Sequence, residues 1–348
     1  MPSARDLLDR VERHSRAEQT AKRLREVVLA DLRAAVSFDG HVFMLTDPAT
    51  RVGTSPLADL LGLPWARLPE LIRLRYLTEF TRWSDLLDRS TAATSLRTAT
   101  GGDPARSRVW REVLRDLGVF DTATVVFGDR YGCWGFLELL RKTPRAFDPS
   151  QLTTLAALAA PITRGLRAAL GRTFVAEAGG LVPAEPAAVA LGPDLRMRGQ
   201  TPAAAAALLR LNPPQEAMPP IPNAVYNAGA ALLAAEHGTP VGPSRSRVHL
   251  GGARWLTVRA DRLGAEDITV SMAPSTPAER LDLFGRAHAL TPRENEVLAL
   301  LATDRESPRP ASVSGLPEHA INDHVKAILA KCGVHTRQGL LSRALGIS

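Results

Sequence analysis

Apolar residues recur at helical spacing from about Asp6 to Val36 (Leu7, Leu8, Val11, then Leu24, Val27, Val28 and Leu32), which predicts a leading amphipathic helix. Such a helix either pairs with its counterpart in a dimer or packs on its own domain. HVFMLTDPATRVGTSPL then reads as a strand, a turn at Asp47-Pro48 and a second short strand. Helical spacing returns from Pro69 to Arg89 and from Val109 to Leu117. TATVVFGDRYGCWGFLELLR predicts two strands joined by a turn around Asp129, Arg130, Tyr131 and Gly132. Asp148-Pro149 caps a long apolar helix, QLTTLAALAAPITRGLRAAL, which Pro161 interrupts.

Between Gly179 and Pro186 the chain turns Gly-, Pro- and Ala-rich, as a linker does. Beyond it, AAVALGPDLRMRGQ predicts two strands about a Gly-Pro-Asp turn, and Thr201-Pro202 starts a helix. A Pro-rich loop from Asn212 to Pro222 precedes the apolar helix AVYNAGAALLAAEHG. Three further strands are predicted in RSRVHLGG, ARWLTVRADRL and DITVSM. Thr276, Pro277 and Glu279 then place an N-cap, a first-turn proline and a capping-box partner at the start of a linker helix, AERLDLFGRAH.

The last sixty or so residues repeat that signature at Thr291, Pro292 and Glu294. Val297, Leu298, Leu300 and Leu301 supply the apolar face of the helix behind it. A second helix follows in LPEHAINDHVKAILAKCGV. At about 100° per residue, Ile321, Val325, Ile328, Leu329 and Cys332 fall on one side. His319, Asp323, Lys326 and Ala330 fall on the other, with Asn322 at its edge. The polar side is narrow enough for a DNA major groove, about 12 Å wide. It also fits an ordinary amphipathic helix with a solvated face. Two such helices within about fifty residues suggest a helix-turn-helix.

LTPRE-x-EVLALLA followed by EHAINDHVKAILAK-x-GV resembles the DNA-binding domain of LuxR/FixJ-type transcriptional regulators over about a sixth of the chain. The family commonly carries Lys or Gln where this chain has Asn322; an Asn pairs bidentately with adenine, and Asp323 accepts from a cytosine amino group, so both are candidates for reading base edges. Lys326 is the leading phosphate contact, with His319 and Lys331 as further candidates. Between the two blocks the chain departs from the family. Where a scaffold helix is expected it reads ESPRPASVSGLP, and Pro308 and Pro310 each remove a backbone donor. That helix is either shortened or missing. Upstream, the order of helix, strands, helices, hairpin and closing helix resembles a GAF sensor domain. TDPAT, SPLADL and GCWGF resemble the amino-terminal part of actinobacterial LuxR-type regulators. The segment after the linker resembles a PAS domain.

At 348 residues with 45% hydrophobic positions, the chain is long enough for two or three domains. The expected fold is therefore multidomain α+β. An N-terminal helix plus GAF-like domain spans 1–175, a PAS-like domain 186–274, a linker helix 275–288, and an all-α helix-turn-helix domain 289–348. The formal charge of +7 suits a nucleic-acid partner. Residues 286–348, however, carry eight Arg or Lys against six Asp or Glu, a net of only +2. Two of the four lysines, Lys326 and Lys331, lie in the second helix. Four of the five tryptophans (Trp65, Trp83, Trp110 and Trp134) precede residue 150, marking either an aromatic-lined ligand pocket or an aromatic core. Cys133 and Cys332 are flanked by apolar residues and suggest burial rather than a disulfide or zinc site.

No GxxxxGK[ST], HExxH or GxSxG motif occurs, and no carboxylate pair stands out for acid–base work. No catalytic residues, metal or cofactor are expected. The start of the chain lacks a signal-peptide apolar region and no apolar run reaches membrane-span length, so a cytoplasmic location is expected. These readings converge on a homodimeric regulator that binds double-stranded DNA and responds to a small ligand or a partner. The alternative is a sensor or heterodimerisation protein whose helix-turn-helix is degenerate and does not bind DNA.

Overall fold

The computed structural model describes residues 3–175, 185, 187–211, 223–304 and 318–346. The single leading helix expected over 6–36 is two helices, α1 (Ala4–Arg16) and α2 (Ala21–Ala35). Thr20 caps α2 by accepting from the Arg23 amide at 3.2 Å, and this N-cap is the signal that continuous apolar spacing concealed. Arg10 Nε lies 2.8 Å from Asp31 Oδ1, so α2 doubles back along α1. Leu7 and Val11 are buried with Leu24, Val28 and Leu32.

The first sheet follows. It comprises β1 (Gly40–Thr46), β2 (Gly53–Asp59), β3 (Ala93–Ser95), β4 (Asp121–Asp129) and β5 (Gly132–Arg141), in the spatial order β2-β1-β5-β4-β3. Between β2 and β4 lie α3 (Leu68–Leu77), α4 (Trp83–Asp88) and α5 (Leu96–Ala99). The helix expected over 69–89 is thus broken, and the one expected at 109–117 contains a wide turn at Trp110–Leu114. The β4–β5 hairpin closes with Asp129 opposite Gly132. Asp129 Oδ1 accepts from the Tyr131 amide at 2.9 Å, an aspartate-supported turn. After it come α6 (Pro149–Ala157) and α7 (Ala159–Gly171), separated at Leu158 because Pro161 has no amide to donate one turn back.

A second five-stranded sheet is built from β6 (Ala187–Leu191), β7 (Met197–Gln200), β8 (Arg245–His249), β9 (Trp255–Leu263) and β10 (Asp267–Pro274). Its spatial order is β7-β6-β10-β9-β8. With α8 (Pro202–Leu211) and α9 (Asn223–Glu236) inserted after β7, it repeats the strand order of the first sheet: in both, the last strand lies beside the first. The fold is therefore mixed α and β, with two antiparallel sheets and thirteen α-helices among the described residues.

The chain divides into two compact units. One comprises Met1–Leu166, Glu185–Val248 and Thr257–Ala273; the other comprises Arg167–Ala184, His249–Leu256 and Pro274–Ser348. Both sheets belong chiefly to the first unit, so the boundary expected near residue 186 does not part them. Within that unit the Asp47 carboxylate is buried and receives Arg247 Nε at 2.7 Å, Arg247 Nη2 at 2.8 Å and the Arg247 amide at 2.9 Å. Tyr76 in α3 donates to Asn227 Oδ1 in α9 at 3.0 Å and accepts from the Gly53 amide at 3.0 Å. A side chain at Gly53 would lie 2.5 Å from Asn227 Oδ1, so glycine is what lets α9 approach β2.

The second unit holds α10 (Pro277–Ala287), α11 (Pro292–Asp304), α12 (Glu318–Cys332) and α13 (Arg337–Leu345). Thr276 and Glu279 form the expected capping box on α10. On α11 the Thr291 amide donates to Glu294 Oε2 at 2.6 Å and the Glu294 amide to Thr291 Oγ1 at 3.2 Å. Leu283, Phe284, Val297, Leu298, Val325, Ile328, Leu340 and Ala344 form one buried cluster. Phe174 and Trp255 join it, their rings stacked with centroids 5.4 Å apart. The core of this unit therefore draws on residues well upstream of the expected start at 289. The expectation about Pro308 and Pro310 lies outside the described residues.

Candidate nucleic-acid interface and ligand cavity

On α12 the sequence periodicity becomes a division between buried and exposed sides. Val325, Ile328 and Cys332 are buried in the helical cluster, whereas His319, Asp323 and Lys326 are exposed. Asn322 is half-buried, and its Oδ1 accepts from Arg337 Nη2 at 2.6 Å. Lys326 Nζ lies 3.5 Å from Asp323 Oδ1, a contact between two exposed chains that contributes little. The exposed imidazole, carboxylate and ammonium groups, with the carboxamide at their edge, are the types that read groove edges and phosphates. Arg337, exposed at the start of α13, adds a cation that spacing on α12 alone gives no means of finding.

Lys331 sits elsewhere. Its ammonium donates to Glu294 Oε2 at 2.6 Å, Glu294 Oε1 at 2.9 Å and the Ala289 carbonyl at 3.3 Å. Burial pushes the Glu294 carboxyl up, but Lys331 and the Thr291 amide outweigh it and hold it below the usual range. Lys331 thus braces α12 against the capped start of α11, and its charge is engaged by Glu294 rather than left to face outward as on Lys326. Cys332 is buried, and burial pushes its thiol up to about 12, so it is an inert core residue.

The four tryptophans do not converge. Trp65 is 51% exposed. Trp110 donates its ring N–H to the Val119 carbonyl at 2.8 Å, and Trp134 to Asp129 Oδ1 at 3.1 Å. Of the four, Trp83 alone lines the cavity described below, and the ring N–H groups of Trp83, Trp110 and Trp134 each have a local partner of their own. Trp83 donates to the Arg51 carbonyl at 3.0 Å and stacks on Phe136 at 4.5 Å between centroids. Cys133 is buried, and its thiol is raised by that burial.

The cavity is set by strand register. Thr122 lies opposite Leu140, Thr124 opposite Glu138 and Val126 opposite Phe136, so Thr122, Thr124, Phe136 and Glu138 share one face of β4–β5. Thr122, Thr124 and Glu138 are all buried. Arg75 on α3 faces this floor, with its Nη1 paired to Glu138 Oε2. Burial lowers the Arg75 guanidinium to about 10. Counted out to its mouth the space is about 380 Å³, and its enclosed part has room for roughly one or two water molecules. Sequence spacing alone singles out neither Arg75 nor Glu138. The available signal was a lone acid in the apolar strand GFLELL, a position that buries a charge only when something answers it.

Among the described residues, no group of His, Cys, Asp and Glu is placed to hold a metal ion, and no helix is long and apolar enough to cross a membrane. No protein-family model matches the chain, and the comparison with curated proteins finds no match.

Proposed function

We propose that the chain is a LuxR-type, DNA-binding transcriptional regulator, acting as a homodimer, whose two-sheet unit responds to a small ligand. The observation that carries the DNA-binding part is the one-sided burial of α12. Its apolar side is committed to the helical cluster, and His319, Asp323 and Lys326 are left in solvent. Support comes also from the capping box at Thr291, which opens the first helix of the block that resembles the family. In this reading Asn322 pairs with an adenine edge once Arg337 releases it, Asp323 accepts from a cytosine amino group, and Lys326 holds phosphate. Two recognition helices of a dimer would enter major grooves about one helical turn apart.

Fluorescence anisotropy on genomic duplexes at rising salt tests this. Affinity should fall linearly on a logarithmic salt axis. Lys326→Ala should weaken binding to all sequences alike and reduce the slope by about 1. Lys331→Ala should lower thermal stability while leaving the slope unchanged. No binding to any duplex in dilute buffer would overturn the reading. A second reading has one observation in its favour: Lys331 is spent on Glu294, and Lys326 lies beside Asp323, so little uncompensated positive charge faces outward from α12. A sensor that heterodimerises through a degenerate helix-turn-helix would then bind DNA only with an intact partner, or not at all.

A further inference from the structure

We propose that the cavity between α3 and the β4–β5 face binds a small uncharged carbonyl compound, a short primary amide being the simplest, with its oxygen on Arg75. This rests on reading the two-sheet unit as a sensor and names what it would sense. Arg75 Nε and Nη2 are buried and have no protein acceptor, and the same holds for the Thr124 hydroxyl. A buried donor left without a partner is costly, and three lining one cavity point to an occupant. Glu138 Oε2 is likewise buried and has only its ion pair with Arg75. Three other lining groups are already satisfied. Arg82 holds Asp85 at 2.9 and 2.7 Å, Thr78 donates to the Phe80 carbonyl at 3.0 Å, and Ser107 accepts from the Trp110 amide at 3.4 Å.

Charge decides the class of ligand. Arg75 is answered by Glu138 and Arg82 by Asp85, so the lining is balanced before anything enters. An anion would add an uncompensated buried charge facing Glu138, and a cation one facing Arg75; either is costly in a poorly solvated site. A neutral carbonyl oxygen adds none. The Nε and Nη2 hydrogens of a guanidinium point the same way along one edge, and one carbonyl oxygen has two lone pairs to meet them. The amide N–H₂ of the ligand then has Glu138 as acceptor, and the Thr124 hydroxyl, which both donates and accepts, can donate to the ligand's oxygen while accepting from its N–H₂. Trp83, Phe136, Leu96, Val109 and Leu114 offer apolar walls to a short alkyl tail. The space is about 380 Å³ only when counted out to its mouth and encloses room for roughly one or two water-sized groups, so the amide head takes the enclosed part and the short alkyl tail lies toward the mouth.

Butyramide and butyrate are nearly isosteric and differ in charge, so titrating each into the full-length protein by ligand-observed NMR is the test. Butyramide should bind about tenfold more tightly than butyrate at neutral pH, the ratio that about 1.4 kcal/mol produces. Thr124→Val should weaken butyramide about fivefold, as loss of one hydrogen bond does. Arg75→Lys keeps the charge opposite Glu138 but removes the double-donor edge, and should abolish binding while thermal melting shows a folded protein. Equal or tighter binding of butyrate, unchanged binding in Arg75→Lys, or no saturable binding of either compound would overturn the proposal, the last by leaving water as the occupant. Anisotropy on duplex DNA separates the two readings. A protein that binds butyramide and no DNA keeps this site and loses the regulator, and the reverse outcome does the opposite.

Discussion

The two sheets share one strand order and differ in what covers them. In the first, β4 and β5 are buried along almost their whole length on both faces, and Thr122, Thr124, Glu138 and Arg141 are buried with them. In the second, β9 and β10 alternate. Val258, Ala260, Ile268, Val270 and Met272 are buried, while Arg259 and Ser271 between them are exposed. The sequences differ accordingly: near-continuous apolar runs in TATVVF and CWGFLELL, strict alternation in LTVRAD and ITVSM. A sheet with one face in water has no interior in which to set polar groups against a ligand. Covering the second face with α3 and its neighbours is what gives the first sheet a site. The same architecture is thus used once as a container and once as a half-covered layer.

The largest test of that comparison cuts the tie between the two sheets. Asp47→Ala leaves Arg247 buried and unanswered, which costs about 3–5 kcal/mol. Calorimetry should show the melting transition fall and broaden, as the sheets cease to unfold together. Burial pushes the Asp47 carboxyl up, but Arg247 and the Ala49 and Thr50 amides overcome this, leaving it below the usual range. Its stabilisation is therefore complete above about pH 3.9, the ordinary value, and is lost as pH falls through Asp47's own lower value. The variant should lack that acid limb. If Asp47→Ala melts like the parent, this ion pair adds nothing to the union of the sheets, and contacts such as Tyr76 to Asn227 carry it instead.

A smaller effect is expected from the apolar side of the second sheet. Ile268 is fully buried on β10, the strand that occupies the place of β5, and Ile268→Ala should cost about 3 kcal/mol through the cavity it leaves. Urea unfolding measures it. A cost under about 1 kcal/mol would mean that this face collapses freely and that the half-covered layer is loosely built.

What was legible beforehand was local. The capping boxes at Thr276 and Thr291, the cap at Asp148, the break near Pro161 and the Asp129 turn each depend on residues within a few positions, and each is present. The break at Thr20 was as local but was hidden by apolar residues that keep helical spacing across it. Helix α13 has its own signal, a Thr336 hydroxyl that accepts from the Gly339 amide at 3.0 Å, ahead of Leu340, Leu341 and Ala344. Distance in sequence is where reading failed. Asp47 reads as a turn residue because its partner, Arg247, is 200 positions away. Lys331 reads as a surface cation because Glu294 belongs to another helix, and the tryptophans read as a group because composition has no geometry.

In the first sheet, Thr124→Val replaces a buried hydroxyl that has no protein partner with a methyl of like size. Such a change should stabilise the ligand-free protein by about 1 kcal/mol, opposite in sign to most core substitutions. Thermal denaturation reads it directly. Destabilisation would show that the hydroxyl already has a partner worth keeping, and the container would then be ordinary core.

The smallest effect belongs to the exposed face of the second sheet. Ser271 lies on β10 between two buried neighbours, and its hydroxyl is 3.4 Å from the Arg259 carbonyl, at the outer limit of a hydrogen bond. In water that contact competes with solvent, so Ser271→Ala should change stability by less than about 0.5 kcal/mol. The result should not depend on protein concentration if the face is bare. A cost above about 1 kcal/mol that grows at higher protein concentration would mean that a second copy covers this face, because mass action makes the stability of an assembled surface depend on how much of it there is. The second sheet would then be two-sided like the first, with the partner in place of α3, and the contrast between container and layer would hold only for the monomer.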